Sequence, residues 1–434
     1  MRGIFKLQRI AYDRRRYSLT LVGIFVIFIG WAYQSVQSSN DPMLFFGAKN
    51  EHRQKLMELQ AEFGTSQQSL IVLRSRESGA PLDLLEAERY LTQTLQAKGN
   101  PISLLDVTKV GSATSILPAL GYPLEYTPLE DVQYLAADHP GLREYYFNDD
   151  LSATVIIVSQ NLVDQSDFGL QRAYSRQQLL VDHVKEKFPS LDVFATGNVS
   201  MFEALRQAFE FDQKYLFPAT VVANFLILLF AFGNLRLTVG VLLIAVTAVV
   251  LTRGIAGWSG YVFASGTSSA FSIVLTLTVA SLIHVVHAIG QRQRHLKFQR
   301  SRAVILAAFR KLTVPVLLAH FTTAVGFLSL NWADAPSFQA MGNLVAVGLI
   351  FSLLLSLFVA PIVFKSKRRE LYVHDDRIRV ASMWFARIWA AAPLRAGAIV
   401  STLSAVALLG LVNIQFDDQL TRFFPEDHWL RVNI

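Results

Sequence analysis

The sequence predicts a polytopic α-helical membrane protein of about seven spans, arranged 1+5+1. An α+β, ferredoxin-like domain outside the membrane follows the first helix. Three observations predict this. Of 434 residues, 52% are hydrophobic and only 17% charged, against roughly 25% charged in soluble domains. Apolar stretches near the ~20 residues needed to cross a bilayer recur along the chain. Charge is also unevenly placed: residues 34–212 hold 24 acidic and 14 basic side chains, the remainder 9 and 26. An acidic block within a basic remainder fits two compartments. The chain has no cysteine, so disulfides and thiol chemistry are excluded.

Residues 1–17 form a basic, cytoplasmic N-terminus with Lys6, Arg9, Arg14, Arg15 and Arg16. Residues 18–34 form the first span. It ends in bulky WAYQ with no small-x-small cleavage site, so an uncleaved anchor fits better than a signal peptide. Residues 35–213 have ordinary polar composition and form the outer domain. SLIVLRS (Ser69–Ser75) and ATVIIVS (Ala153–Ser159) read as buried strands, ISLLDV (Ile102–Val107) and LDVFATG (Leu191–Gly197) as weaker ones. Helical patterns occupy Pro81–Gly99 and Asp167–Phe188. The resulting β-α-β, β-α-β order is that of a split, ferredoxin-like unit. Gly111–Asn148 reads as irregular.

Five clustered spans follow in residues 214–364, near Tyr215–Phe232, Leu237–Ala256, Ser268–Ile289, Leu312–Leu330 and Met341–Phe364. Residues 365–393 form a cytoplasmic linker, in which His374–Pro393 reads as an interfacial helix. Residues 394–412 form the seventh span, and residues 413–434 begin a further outer domain. The connections QRQRHLKFQRSR (Gln291–Arg302) and KSKRRE (Lys365–Glu370) are strongly basic, whereas GWSGYVFASG and NWADAPSF are nearly uncharged. Positive charge marks the cytoplasmic side. The acidic domain is then outside, periplasmic or extracellular, with the N-terminus inside. The same rule explains the basic charge without nucleic acid.

FATGNVSMFEALRQAFEFDQKYLFPATV (Phe194–Val221) has a TG turn, then a helix with an acid, Asp212, shortly before the membrane. Val314–Phe364 includes TTAVGFLSL and the small-residue GNLVAVG. NIQFDDQLTRFFPEDHW follows the seventh span. These stretches, with NDDLSATVIIVS, resemble the N-terminal half of an RND-superfamily transporter. The nearest types are the hydrophobe exporters, the MMPL-type proteins and the sterol-sensing-domain proteins. The resemblance covers essentially the whole chain. It implies two halves, each of one helix, an outer domain and five helices. This chain stops just after entering its second half, and we read it as a partial chain. The resemblance also implies a bacterial inner-membrane location.

Ionisable groups within apolar spans are costly and mark functional candidates. The spans between Tyr215 and Phe364 contain no Asp or Glu; Asp334 lies in an outer loop. Relatives often carry an acid in the fourth helix a few residues before His284, where this chain has Ala280 and Ser281. Acid-mediated proton coupling is therefore in doubt here. Three histidines remain: His284 and His287 in the fourth span, His320 in the fifth. Thr278, Ser281, His284 and His287 recur every three residues, about 60° apart around a helix. An unperturbed histidine titrates near pH 6.5 and can relay a proton. The relay or substrate-path candidates are Ser281, His284, His287, His320, Thr322 and Thr323. The plainer reading makes His284 and His320 neutral helix glue, bonded to Ser281 or to Thr322 and Thr323, and His287 a boundary residue that snorkels. Zinc on three histidines lacks a supporting carboxylate, so no metal is expected. Gly326, four residues from Thr322, and Gly342 and Gly348 suit close helix packing. Arg253 reads as an interfacial anchor. Asp212 pairs with Lys214, caps its helix or serves as a gate.

The leading function is secondary-active, proton-coupled export of hydrophobic or amphiphilic, lipid-like molecules. The alternative is a non-transporting lipid- or sterol-sensing or scaffolding protein. No GxSxG, HExxH, Walker or dinucleotide motif is present, so neither an enzyme nor a cofactor is expected. The expected partners are membrane lipids, the substrate, the missing second half, and a further copy or an accessory periplasmic protein.

Overall fold

The computed structural model describes residues 2–32, 37–38, 47, 50–63, 67–79, 81–97, 99–122, 128–162, 167–260, 262–263, 267, 269–295, 301–364, 383–384, 386–387, 389–390 and 392–411. They fall into two compact units, one from residues 1–38 and 210–418, the other from residues 39–209.

The chain opens with α1 (Arg2–Asp13) and α2 (Arg15–Trp31). The second unit then contains α3 (Glu51–Phe63), β1 (Gln67–Arg74), α4 (Leu82–Gln96), β2 (Val107–Gly111), α5 (Ala113–Ile116), α6 (Leu129–Asp138), α7 (Pro140–Tyr146), β3 (Ala153–Gln160), α8 (Asp167–Lys187), β4 (Asp192–Gly197) and most of α9 (Asn198–Phe211). The sheet order is β2-β3-β1-β4, and every neighbouring pair is antiparallel. Burial alternates strictly along β3, as a sheet with one covered face requires. Ile71, Leu73, Ile156, Val158 and Val193 from the strands pack against Leu84, Leu91 and Leu95 of α4 and Leu180, Val181 and Val184 of α8. Each such side chain contributes roughly 1.5–3 kcal/mol when fully buried.

Two expectations need correction in this unit. Ile102–Val107 is not a strand: β2 starts only at Val107. Asn100 Oδ1 accepts from the Ile102 amide at 3.1 Å, and Asp106 has φ +51°, so the backbone turns where a strand was expected. Gly111–Asn148 is not irregular but carries α5, α6 and α7. Their own small core joins Ala113, Leu117, Val132, Ala136 and Leu142 to Leu85 of α4. Between β4 and α9, Gly197 has φ +103°, and a Cβ there would lie 2.4 Å from the Gln68 carbonyl oxygen. Only glycine serves at that turn.

Glu88 of α4 is completely buried. Its Oε1 accepts from the Thr114 amide at 2.9 Å, while Oε2 has no hydrogen-bond partner. Burial raises its pKa to about 7, against the opposing pull of the Thr114 amide.

The first unit continues with a π turn at Asp212–Leu216, then α10 (Phe217–Phe232), α11 (Leu235–Trp258), α12 (Ser269–His295), α13 (Ser301–Leu328), α14 (Pro336–Leu354), a second π turn at Leu355–Val359, α15 (Ala360–Val363) and α16 (Pro393–Leu411). Asn234 caps α11 through the Leu237 amide at 3.2 Å, leaving its side chain to satisfy an otherwise free donor. Six helical stretches among the described residues are long and apolar enough to cross a membrane: Asn198–Phe232, Leu235–Trp258, Ser269–Arg292, Arg302–Trp332, Pro336–Val363 and Pro393–Gly410. This is a multi-pass membrane protein. α2, with 17 residues, is shorter than the ~20 of a full span.

Core side chains of α11, α12, α13 and α14 form one apolar cluster, with Ile29 of α2 and Leu228 and Phe232 of α10. Small residues set the closest approaches. A Cβ on Gly342 would lie 2.3 Å from the Phe327 carbonyl oxygen, and one on Gly348 2.4 Å from Val274. A Cβ on Gly254 would meet the Ile29 carbonyl oxygen at 2.3 Å. Gly326 differs from expectation: a Cβ there meets nothing within 4 Å, because it faces away from its neighbours. The expected interfacial helix lies largely outside the described residues; 383–384, 386–387 and 389–390 are helical.

Candidate functional site

A cavity of about 450 Å³ opens between three helices. Leu277, Ala280, Ser281 and His284 of α12 line one wall. Leu312, Pro315, Val316, Ala319, His320 and Thr323 of α13 line another, and Leu349 of α14 closes it. The i, i+3, i+4 spacing within each set is what places these residues on one helix face. Pro315 cannot donate to the carbonyl four residues back, which loosens the α13 wall where it borders the cavity.

His320 is 5% exposed. Its Nδ1 lies 2.8 Å from the Val316 carbonyl oxygen and its Nε2 2.9 Å from Ser352 Oγ. A carbonyl only accepts, so Nδ1 must carry hydrogen. In the neutral ring Nε2 then accepts, and the Ser352 hydroxyl donates. In the protonated ring Nε2 donates, and the hydroxyl rotates to accept. Both charge states thus keep both contacts. His284 and Ser281 stand on the facing wall, with His284 exposed to the cavity mouth.

The structure brings together four of the expected residues: Ser281, His284, His320 and Thr323. Two others fall elsewhere. His287 is exposed, with Nε2 at 2.9 Å from Gln291 Nε2 one turn along α12. Thr322 is exposed and bonds only backward, to the Leu318 and Ala319 carbonyls. Thr323 also bonds backward, to Ala319 at 2.8 Å. The expected bond from His320 to Thr322 or Thr323 is therefore replaced by the one to Ser352. Among the described residues, no three His, Asp or Glu side chains gather to hold a metal.

Asp212 opens the first π turn and borders a separate groove of about 470 Å³, with Gln213, Phe217, Thr220, Ser269 and Ser272. Such turns replace the regular helical ladder and recur at functional positions. Arg253, expected as an interfacial anchor, donates from Nη1 to Gln213 Oε1 at 2.8 Å, and its guanidinium lies 5.3 Å from the Phe271 ring centre. Sequence reasoning missed Ser352 and the neighbouring Ser356, whose buried Oγ has no partner. Two serines in the otherwise apolar run from Leu344 to Phe364 were the available signal.

A family model described as MMPL family matches residues 46–399. The chain belongs to the MMPL family. This agrees with the RND-type resemblance carried by the Phe194–Val221 and Val314–Phe364 stretches. A membrane protein of Methanocaldococcus jannaschii is 23% identical over 370 residues, covering 83% of this chain and 93% of that one. MmpL9 of Mycobacterium tuberculosis, named for transport, is 24% identical over 223 residues, covering 50% of this chain and 23% of that protein. In this MMPL chain, the cavity polar groups are histidine and hydroxyl rather than carboxylate.

Proposed function

We propose that the chain is an RND-type secondary-active exporter of hydrophobic or amphiphilic, lipid-like molecules, with proton coupling through His320. One observation carries this reading: His320 keeps both hydrogen bonds in either charge state while bordering a mostly apolar cavity. A group that takes up and releases a proton without breaking its contacts suits a relay. His284 and Ser281, across the cavity, supply its exchange partner. Membership of the MMPL family and the name of the mycobacterial relative support transport.

The remaining architecture completes the proposal. α2 acts as a first span, giving seven, with the N-terminus cytoplasmic in a bacterial inner membrane. The β2-β3-β1-β4 order, with α4 and α8 as crossovers, supports a ferredoxin-like outer domain that receives substrate. A further copy or an accessory periplasmic protein is a candidate partner.

The test reconstitutes the chain in vesicles with an imposed pH gradient and follows efflux of a fluorescent amphiphile. His320→Ala and His284→Ala should uncouple efflux from the gradient. Unchanged coupling in both variants would sink the relay. The absence of any carboxylate in the five clustered spans favours a second reading, a lipid-sensing protein. It would bind lipid with no response to the gradient.

A further inference from the structure

We infer that α1 and the Arg14–Arg16 run that follows it form a binding element for the anionic headgroups of a lipid bilayer, and that this bilayer seats the start of α13. α1 presents three distinct faces. At about 100° per residue, Gln8 and Tyr12 share one face, which is buried against the bundle. Gln8 Nε2 donates to Thr313 Oγ1 of α13 at 3.1 Å. Leu7 and Ile10, three residues apart, share a second face and remain 56% and 45% exposed. Lys6 and Arg9 occupy a third face, also exposed.

The only acid of α1, Asp13, is engaged: Arg302 Nη2 at the start of α13 donates to it at 2.5 Å, and Arg9 Nε lies 3.9 Å from the same oxygen. α1 joins α2 through Arg14 alone, where the backbone leaves the helical region (φ −98°, ψ 36°). Arg14, Arg15 and Arg16 are all exposed. Among the described residues, this end of the molecule therefore carries surplus cations, Lys6 and Arg14–Arg16, beside an uncovered apolar pair.

The occupant follows from continuity and charge. α2 starts one residue later, and its Leu21, Ile24, Ile27 and Phe28 are exposed apolar side chains, a surface suited to acyl chains. Leu7 and Ile10 belong to the helix that leads directly into α2. An apolar face bordered by Lys and Arg is the pattern of a helix lying at the headgroup boundary. Clustered cations next to a membrane helix draw anionic lipids. The mechanical consequence lies in Thr313, which Gln8 holds. It stands next to Leu312 and two residues before Pro315, both on the cavity wall.

The chain is free of cysteine, so single cysteines can carry a spin label. Leu7→Cys, Ile10→Cys and Arg9→Cys would be made in the full chain and placed in phosphatidylcholine vesicles, with and without phosphatidylglycerol. With phosphatidylglycerol, labels at positions 7 and 10 should be reached by oxygen and shielded from a water-soluble nickel chelate, and position 9 the reverse. The triple variant Arg14→Gln, Arg15→Gln, Arg16→Gln should lower retention of phosphatidylglycerol over phosphatidylcholine by about a hundredfold. The matching triple Lys variant, which keeps the charge, should retain it. Nickel-accessible labels at 7 and 10 in both vesicle types would overturn the inference and point instead to a protein partner. So would undiminished phosphatidylglycerol retention in a folded Gln variant.

Discussion

His320 Nε2 and Ser352 Oγ, 2.9 Å apart, link α13 to α14 beside the cavity. Ser352→Ala would leave a buried ring nitrogen without its partner. The expected cost is about 1–3 kcal/mol, read as a lower midpoint in denaturant unfolding of the purified protein. Ser352→Thr keeps the hydroxyl and should recover much of that loss.

Gly342 and Gly326 make a matched pair of substitutions. A Cβ at Gly342 would collide with the Phe327 carbonyl, whereas one at Gly326 meets open space. Gly342→Ala should destabilise by about 1–3 kcal/mol. Gly326→Ala should be neutral or stabilising by up to about 1 kcal/mol, through helix propensity. Thermal unfolding of the two variants in one detergent separates them; equal effects would contradict the packing described.

Glu88 sets a pH dependence on the outer unit. Its folded pKa is raised to about 7 from 4.5, so the folded form holds its proton more tightly than the unfolded form. Stability from this group is full below about pH 4.5, falls as the pH rises towards 7, and is level above that. The total change is up to about 3 kcal/mol. Amide hydrogen exchange in α4, corrected for intrinsic rates, should show weaker protection at about pH 8 than at about pH 5. Glu88→Gln keeps an acceptor for the Thr114 amide and should remove the difference.

Arg253 ties α11 to the first π turn through Gln213 and to α12 through Phe271. Arg253→Leu should cost about 1–2 kcal/mol and speed amide exchange across Asp212–Leu216. Unchanged exchange there would show that the π turn stands without the tie.

Much of this fold was legible in the sequence, and what escaped has identifiable physical causes. Long apolar runs announced the membrane helices, and short, β-branched apolar runs announced β1 and β3. Their ends were harder to read, since α13 starts at Ser301 rather than near Leu312. Its first turns hold the apolar run AVILAAF between Arg302 and Arg310–Lys311, and those charges drew the expected start of the span past it. α5, α6 and α7 have 4, 10 and 7 residues, too few turns for a clear period. α1 was read only as a basic tail, because its apolar positions are divided between two faces. At the site, His284 and His320 stood out as ionisable groups in apolar helices. The Ser352 partner did not, because it comes from a third helix 32 residues further on, and spacing within one helix carries no information about such a meeting.

Gly342 and Gly348 lie six residues apart, hence about 120° apart around α14. One meets α13; the other meets Val274 of α12 and Thr252 of α11. Contacts of this kind have no flexible side chain to serve as padding. α14 therefore behaves as an axle gripped from two sides, by α13 at one glycine and by α11 and α12 at the other.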